Sequence, residues 1–286
     1  MIRYAKPRTV DEALSLLAED RWRIVAGATD FYPALGNRPL RENVLDINRL
    51  SELRGIAETP SHFVLGARTT WTDIARHSLP PSFDALKQAA LEVGAIQIQN
   101  AGTIAGNLCN ASPAADGVPA LLVLDAEVEL RSAERMRRLP LGTFILGNRE
   151  TARQPAEMLV SVRVPKAAAK GGSAFFKLGA RRYLVISIAM TAARLAVGAD
   201  GRIEDAAIAV GACSAVAQRL PGLEAALIGR VAGAGIAEAV EPQHLSALTP
   251  IDAVRGSAGY RRAAAGEIVA RALVAALPGE ARKDAA

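Results

Sequence analysis

Two segments of the sequence place small residues beside hydroxyl, amide and carboxyl side chains. The first is residues 25–30, Val-Ala-Gly-Ala-Thr-Asp, and the second is residues 102–116, which begin Gly-Thr-Ile-Ala-Gly-Asn and end Pro-Ala-Ala-Asp. Turns rich in glycine and alanine leave backbone N–H groups accessible to a pyrophosphate. Thr29, Thr103 and Asn107 would add side-chain hydrogen bonds. The ligand that this chemistry favours is a dinucleotide.

The carboxylate that closes the second segment extends this interpretation. Asp116 could accept hydrogen bonds from a ribose hydroxyl, with Ser112 and Pro113 shaping the turn that presents it. Neither segment, however, matches Gly-x-Gly-x-x-Gly or the Walker pattern Gly-x-x-x-x-Gly-Lys. The same residues are consistent with two structural turns, in which Gly27 ends a strand and Asp116 caps a helix that begins near Pro119. Composition leaves both interpretations open.

The other reactive side chains are isolated in the sequence. Two cysteines, Cys109 and Cys213, share no metal-binding spacing. Three histidines, His62, His77 and His244, form no metal-ligand pair and no nucleophile motif. We therefore expect no zinc site, iron–sulfur cluster or hydrolytic centre made by this chain alone.

Charge and hydropathy exclude further classes of protein. The formal net charge is +5, but lysine and arginine are spread along the chain, so we expect no nucleic-acid partner. No apolar stretch reaches the eighteen or so residues of a bilayer span. The N-terminus lacks the apolar core of a secretory signal. These features predict a cytoplasmic protein without a membrane span.

The periodicity of apolar residues predicts helices and strands in alternation up to residue 165. Thr9 and Glu12 form a capping-box pattern, which predicts a helix directly after Thr9. The other elements predicted in this part of the chain are strands at 22–25, 44–47, 62–66 and 127–130, and helices at 70–77, 82–93 and from about 119.

Residues 165–173 contain lysine, alanine and glycine without apolar periodicity, which indicates a domain boundary. We predict an α+β fold with a first domain at 1–168 and a smaller one at 173–286. The second domain is expected to contain a three-stranded antiparallel sheet and helices, with strands at 174–177, 185–196 and 203–212 and helices at 223–241 and 258–277.

The two small-residue segments together resemble a known family. Ala26-Gly27-Ala28-Thr29-Asp30, followed by the motif at 103–116, is similar to the FAD-binding medium subunit of the molybdenum hydroxylases, which include xanthine dehydrogenase and aerobic carbon monoxide dehydrogenase. The resemblance covers essentially the whole chain. It implies a PCMH-like FAD-binding domain of two subdomains, about 1–58 and 59–168, with FAD held between them.

The resemblance also implies which residues contact FAD. The two loops would hold the pyrophosphate, and the residues after them would contact the rest of the cofactor, with Val185 against the flavin ring. The implied cofactor-binding residues are Ala26, Gly27, Ala28, Thr29, Asp30, Gly102, Thr103, Ile104, Ala105, Gly106, Asn107, Ser112, Asp116, Leu159, Lys177 and Val185. No residue of this chain is expected to act as a catalytic acid or base.

In such a family member, FAD takes electrons from an iron–sulfur small subunit and passes them to an external acceptor. The resemblance implies [2Fe-2S] clusters on that small subunit, molybdopterin on a large subunit, and a heterotrimer that can pair into a dimer of heterotrimers. The alternative is a stand-alone FAD-dependent oxidoreductase that acts directly on a small substrate. That class needs acid or base groups beside the flavin, and the histidines fall outside the motifs.

The sequence departs from the family pattern at three places. Ala28 and Ala105 replace the usual glycines, and an added methyl group both restricts φ and crowds a nearby phosphate, so we expect altered or weaker FAD binding. Tyr183 and Leu184 stand where the family has a more polar approach to the ring.

Overall fold

The computed structural model describes residues 1–182, 184–233 and 235–279. The chain begins with a small three-stranded parallel sheet in the order β1-β3-β2. Its elements are β1 (Tyr4–Ala5), α1 (Val10–Glu19), β2 (Trp22–Val25), α2 (Phe31–Leu35) and β3 (Asn43–Asp46).

The first helix begins as its sequence predicts, with one difference in the capping contacts. The hydroxyl of Thr9 accepts a hydrogen bond from the Glu12 backbone N–H at 3.2 Å. The Glu12 carboxylate accepts from the backbone N–H of Arg8 at 2.8 Å instead of closing on Thr9. Thr9 therefore caps α1, and Glu12 fixes the preceding residue.

The next part of the chain forms a five-stranded antiparallel sheet in the order β4-β5-β10-β6-β7, with helices inserted between β5 and β6. Its elements are β4 (Ile56–Glu58), β5 (His62–Gly66), α3 (Trp71–Arg76), α4 (Asp84–Glu92), α5 (Ile96–Ala101), α6 (Ile104–Asn110), α7 (Gly117–Leu122), β6 (Glu127–Arg131), β7 (Met136–Pro140), α8 (Leu141–Phe144), β8 (Ile145–Gly147), β9 (Glu150–Thr151) and β10 (Met158–Pro165).

The centre of this sheet is a fully buried row of aliphatic side chains. Val162 on β10 lies opposite Leu65 on β5 and Val128 on β6, and all three are inaccessible to solvent. Alternation along each strand directs every second side chain to the same face. The row therefore fixes the register of β10, and with it the position of Leu159 near the start of that strand.

The remainder of the chain forms a second antiparallel sheet in the order β11-β12-β13-β14. The predicted sheet of three long strands is confirmed, and a two-residue strand extends its edge. The elements are β11 (Gly172–Leu178), β12 (Ala189–Val197), β13 (Ile203–Gly211), β14 (Gln218–Arg219), α9 (Pro221–Leu227) and α10 (Ala258–Ala276).

Two expectations for this region are wrong. The helix predicted at 223–241 ends at Leu227, because Gly229 and Gly235 have φ values of +78° and +81° that a helix does not contain. The strand predicted from Val185 begins only at Ala189, so Val185 lies in the preceding loop.

The second sheet is packed on both faces. Ala193 on β12 packs with α10 in one apolar cluster, whereas its neighbour Ala192 belongs to the apolar cluster that contains Leu65 and Val162. On the same strand, the Arg194 side chain is only 1% exposed. Its Nε donates to the carbonyl of Val123 at 2.7 Å, and its Nη1 donates to Asp205 at 2.7 Å. Arg194 therefore ties the second sheet to the end of α7.

Within the part of the chain that the structure describes, no helix has the length and apolarity of a membrane span.

We expect Arg194→Ala to lower the free energy of unfolding by about 3 kcal/mol, since it removes two hydrogen bonds and leaves a cavity where a large side chain was buried. The measurement is urea unfolding followed by circular dichroism. Arg202 provides the matched control, because it lies on the turn between β12 and β13 and its side chain is 54% exposed. Arg202→Ala should cost about 1 kcal/mol or less. Equal losses in the two variants would contradict the tethering role.

Candidate cofactor site

A cavity of about 770 Å³ lies where the two small-residue segments meet. This volume falls within the range of about 300–1,000 Å³ that is usual for small-molecule and cofactor sites. Eleven of the residues expected to bind a cofactor line it: Ala26, Gly27, Ala28, Thr29, Asp30, Gly102, Thr103, Ala105, Gly106, Asn107 and Leu159. The fold therefore brings both segments and the start of β10 to one site.

The first loop follows β2 and touches the second loop directly. A Cβ atom on Gly27 would overlap the carbonyl oxygen of Ala101, so only glycine fits at this contact. A side-chain hydrogen bond also fixes this loop, because the Asn48 amide donates to the carbonyl of Ala26 at 2.8 Å. Ala28 has a φ of +58°, in the left-handed region that favours glycine.

The second loop leads from α5 into α6. A Cβ atom on Gly102 would lie 2.9 Å from the carbonyl oxygen of Ile98 and 3.3 Å from the Trp71 ring. Thr103 caps α6, since its hydroxyl accepts from the backbone N–H of Gly106 at 3.1 Å. Ile104 is fully buried in the core and does not line the cavity.

Asn107 offers an unused hydrogen-bond acceptor to the cavity. Its Oδ1 is buried and has no hydrogen-bond partner among the residues that the structure describes. A buried acceptor without a donor costs about 1–3 kcal/mol. The Trp71 ring packs against Gly117, where a Cβ atom would overlap that ring and lie 3.3 Å from Asn107 Oδ1. A hydroxyl or N–H of a bound ligand would satisfy this oxygen.

The cavity has a basic wall that the sequence motifs do not reveal. Arg149 and Arg153 line it from the β8–β9 region and the loop after it. The backbone N–H of Arg149 donates to the carbonyl of Ala111 at 2.9 Å, and its Nη1 donates to the side-chain oxygen of Asn110 at 3.0 Å. Arg153 Nη1 donates to the carbonyl of Glu157 at 2.7 Å. Arg21 and Arg23 also line the cavity, and its carboxylates are Asp30 and Glu42, so the lining has a net positive charge that suits an anionic ligand such as a diphosphate.

Asp116 and Lys177 form a buried ion pair beside the cavity instead of lining it. Lys177 Nζ lies 2.7 Å from Asp116 Oδ2, and the two side chains are 6% and 8% exposed, respectively. The hydroxyl of Ser187 donates to Asp116 Oδ1 at 2.6 Å, and Lys177 Nζ also donates to the carbonyl of Glu92 at 3.2 Å. Burial raises the pKa of the Asp116 carboxyl even though Lys177 and Ser187 act in the opposite direction.

Two further expected contacts lie outside the cavity lining. Ser112 shapes the turn, as expected, by accepting a hydrogen bond from the Ala114 N–H at 3.2 Å. Val185 is half-buried and packs against Gly179, where a Cβ atom would overlap its side chain. Tyr183 lies outside the described residues, and Leu184 is exposed.

The two cysteine thiols have a raised pKa. Cys109 lines the cavity, but desolvation raises the pKa of its thiol to about 11, so it is protonated at neutral pH. Burial likewise raises the pKa of the Cys213 thiol to about 11. The described part of the chain contains no group of three residues placed to hold a metal ion.

Comparison with known protein families identifies the family of the chain. Residues 1–167 match the model of the FAD binding domain in molybdopterin dehydrogenase, and residues 174–276 match the CO dehydrogenase flavoprotein C-terminal domain. The chain belongs to the FAD-binding subunits of the molybdenum hydroxylase family. This FAD-binding subunit is an oxidoreductase flavoprotein, and the resemblance found in the two loops is confirmed.

Individual relatives agree with the family assignment. The nicotinate dehydrogenase FAD-subunit of Eubacterium barkeri is 37% identical over 190 residues, an alignment that covers 64% of each chain. The 6-hydroxypseudooxynicotine dehydrogenase complex subunit alpha of Paenarthrobacter nicotinovorans is 31% identical and covers 96% of this chain and 94% of the relative. In the structure of carbon monoxide dehydrogenase from Hydrogenophaga pseudoflava that lacks the Mo-pyranopterin moiety, the matched chain is 31% identical, with a TM-score of 0.85 and 96% coverage of both chains.

The two alanines that depart from the family pattern differ in their backbone conformation. Ala28 is left-handed, whereas Ala105 is a buried residue of α6. We expect Ala28→Gly to raise the free energy of unfolding of this FAD-binding subunit by about 1 kcal/mol, because it relieves the left-handed strain. Ala105→Gly should lower it by about 1 kcal/mol, because glycine weakens a helix. Thermal and urea unfolding measure both. A change of the same sign in the two variants would contradict this interpretation.

Proposed function

We propose that this subunit holds FAD in the 770 Å³ cavity, takes electrons from an iron–sulfur partner subunit and passes them to an external acceptor. The observation that carries the proposal is the meeting of two loops without bulky side chains, together with the unpartnered oxygen of Asn107 on the helix that follows the second loop. FAD, when bound, supplies one- and two-electron transfer, for which the protein provides position and electrostatics.

The cavity wall fits the chemical parts of FAD. We assign the pyrophosphate to the loops that contain Gly27 and Gly102, because their backbones are not shielded by side chains. Arg149 and Arg153 complement its negative charge. Asn107 Oδ1 accepts a hydrogen bond from a hydroxyl or N–H group of the cofactor, which removes the cost of its burial.

The buried ion pair acts on this site through α7. Asp116 precedes Gly117, whose missing side chain leaves room for Trp71 and Asn107. Lys177 and Ser187 hold both oxygens of the Asp116 carboxylate, so they fix the start of α7 relative to the second sheet. We propose that the pair maintains the width of the cavity at Asn107, and that Ser112 contributes by shaping the same turn.

Several features favour electron transfer over direct action on a substrate. The described residues that line the cavity contain no histidine, tyrosine or lysine, and their carboxylates are limited to Asp30 and Glu42. Relatives are named as subunits of dehydrogenase complexes. We therefore propose a cytoplasmic heterotrimer with an iron–sulfur small subunit and a molybdopterin large subunit, in which the substrate reacts on the large subunit.

The first test is FAD binding by the purified chain. Asn107→Ala should raise the dissociation constant for FAD about tenfold, equivalent to about 1.4 kcal/mol, because the cofactor loses a buried acceptor. Asn37→Ala, at an exposed position outside the cavity lining, is the control and should bind FAD as the native chain does. Binding is followed by flavin fluorescence, and the retained cofactor is identified by chromatography. Equal affinity in both variants would remove Asn107 from the site.

The second test is the route of the electrons in the complex purified with its partner subunits. Removal of FAD should leave reduction of the iron–sulfur clusters by substrate intact and abolish reduction of the external acceptor. Addition of FAD should restore acceptor reduction. Substrate oxidation by the isolated flavin-loaded chain would instead support the stand-alone oxidoreductase.

A further inference from the structure

A second, smaller crevice lies behind the loop contact. Its volume is about 230 Å³, and its wall is polar and basic, with two arginines and two asparagines. The residues that line it are Ala26, Gly27, Asn48, Arg54, Arg68, Thr70, Asn100, Ala101 and Thr103. This size suits a small ion with some of its water, since one water occupies about 30 Å³ in the liquid.

The crevice and the large cavity are separated by the contact between the two loops. Gly27 lies against the Ala101 carbonyl so closely that a Cβ atom would overlap it. The side-chain amide of Asn48 fixes the first loop in this contact, because it donates to the carbonyl of Ala26 at 2.8 Å. Ala26, Gly27 and Thr103 line both spaces, but neither Arg54 nor Arg68 lines the large cavity.

The two arginines of the crevice are neutralised unequally. Arg54 binds the Asp73 carboxylate through Nε at 2.9 Å and Nη2 at 3.0 Å. Arg68 has no ion-pair partner among the residues that the structure describes. Asp46, which acts on Arg68 through space, is itself paired with Lys6 at 3.3 Å. The crevice therefore contains a cation whose charge is not balanced locally.

The donor groups of Arg68 are also incompletely used. Nη1 donates to the carbonyl of Leu50 at 2.7 Å, whereas Nε is buried and bonds to none of the described residues. Burial and the nearby Arg54 guanidinium lower the pKa of Arg68. A bound anion would counter both effects, because it supplies an acceptor and an opposite charge.

Asn100 supplies a second donor on the crevice wall. Its Oδ1 accepts from the Thr72 hydroxyl at 2.6 Å, which directs the amide so that Nδ2 remains available as a donor. A guanidinium and an amide N–H on one wall are the groups that hold carboxylate and phosphate oxygens in proteins.

We propose that this crevice binds a small free oxyanion, a phosphate or a carboxylate, on the guanidinium of Arg68 with Asn100 as a further donor. The site is separate from the FAD cavity, and its occupancy does not depend on the function proposed for that cavity. The bound anion balances the charge of Arg68 behind the loop that contains Gly27.

The test is titration of the purified full chain with inorganic phosphate and, separately, with acetate, at an ionic strength held constant with sodium chloride. Calorimetry should show saturable binding of at least one of the two anions. Arg68→Gln should weaken that binding tenfold or more. Arg76→Gln, which removes an exposed arginine of α3 outside both cavities, should change it less than twofold.

A second variant keeps the test decisive if Arg68→Gln fails to fold. Asn100→Asp preserves the oxygen that accepts from Thr72 and places a negative charge on the crevice wall, so it should also weaken anion binding tenfold or more. Native affinity in Arg68→Gln or Asn100→Asp, or no binding of either anion, would overturn the proposal.

Titration in the presence of saturating FAD separates the two cavities. Anion binding that is the same with and without FAD supports the separate crevice. Displacement of the anion by FAD would overturn the proposal, because it would place the anion in the pyrophosphate position of the large cavity. A chain that takes up no FAD still reports on the crevice through the Arg68 variant.

Discussion

The site depends on one steric constraint, the direct contact between the backbone at Gly27 and the carbonyl of Ala101. Any larger residue at position 27 would push the two loops apart, since the added carbon would overlap the oxygen. This contact joins the parallel sheet at the N-terminus to the helices inserted in the five-stranded sheet. It forms a common wall of the two cavities, so the large cavity and the basic crevice exist because the loops meet without side chains between them.

Buried charges then hold the second sheet against this arrangement. Lys177 reaches from β11 to Asp116, and Arg194 reaches from β12 to the carbonyl of Val123. Both contacts end at α7, one before its start and one directly after its last residue. A buried ion pair adds little net stability, because desolvation of the charges opposes their attraction. The hydrogen bonds of these buried charges, however, form only at defined distances and angles. The two contacts therefore fix the position of α7 more than they stabilise the fold.

The parts of the site that could be predicted were those encoded locally. The loops around Gly27 and Gly102 were identifiable because close backbone approach requires small residues in consecutive positions. Arg149 and Arg68 were not identifiable, because their positions depend on contacts with residues distant in sequence, Ala111 and Asn110 for Arg149 and Leu50 for Arg68, that no local pattern reports. The helix predicted over 223–241 failed for the opposite reason: its alanines favour a helix, but glycines with positive φ interrupt it. The periodicity of apolar residues located β12 and β13, since each has a buried face, but it missed β10, whose residues are buried on both sides of the strand and so do not alternate.

The order of strands in the five-stranded sheet has a consequence for biosynthesis. The central strand, β10, is the last of the five to be translated, and its neighbours β5 and β6 are separated from it by long stretches of chain. Until the ribosome has released residue 165, both neighbours have an unpaired edge, which is the form in which strands associate wrongly. Met158 and Leu159, which belong to the cavity wall, arrive with that strand. The wall of the large cavity is therefore complete only after β10 has been added to the sheet.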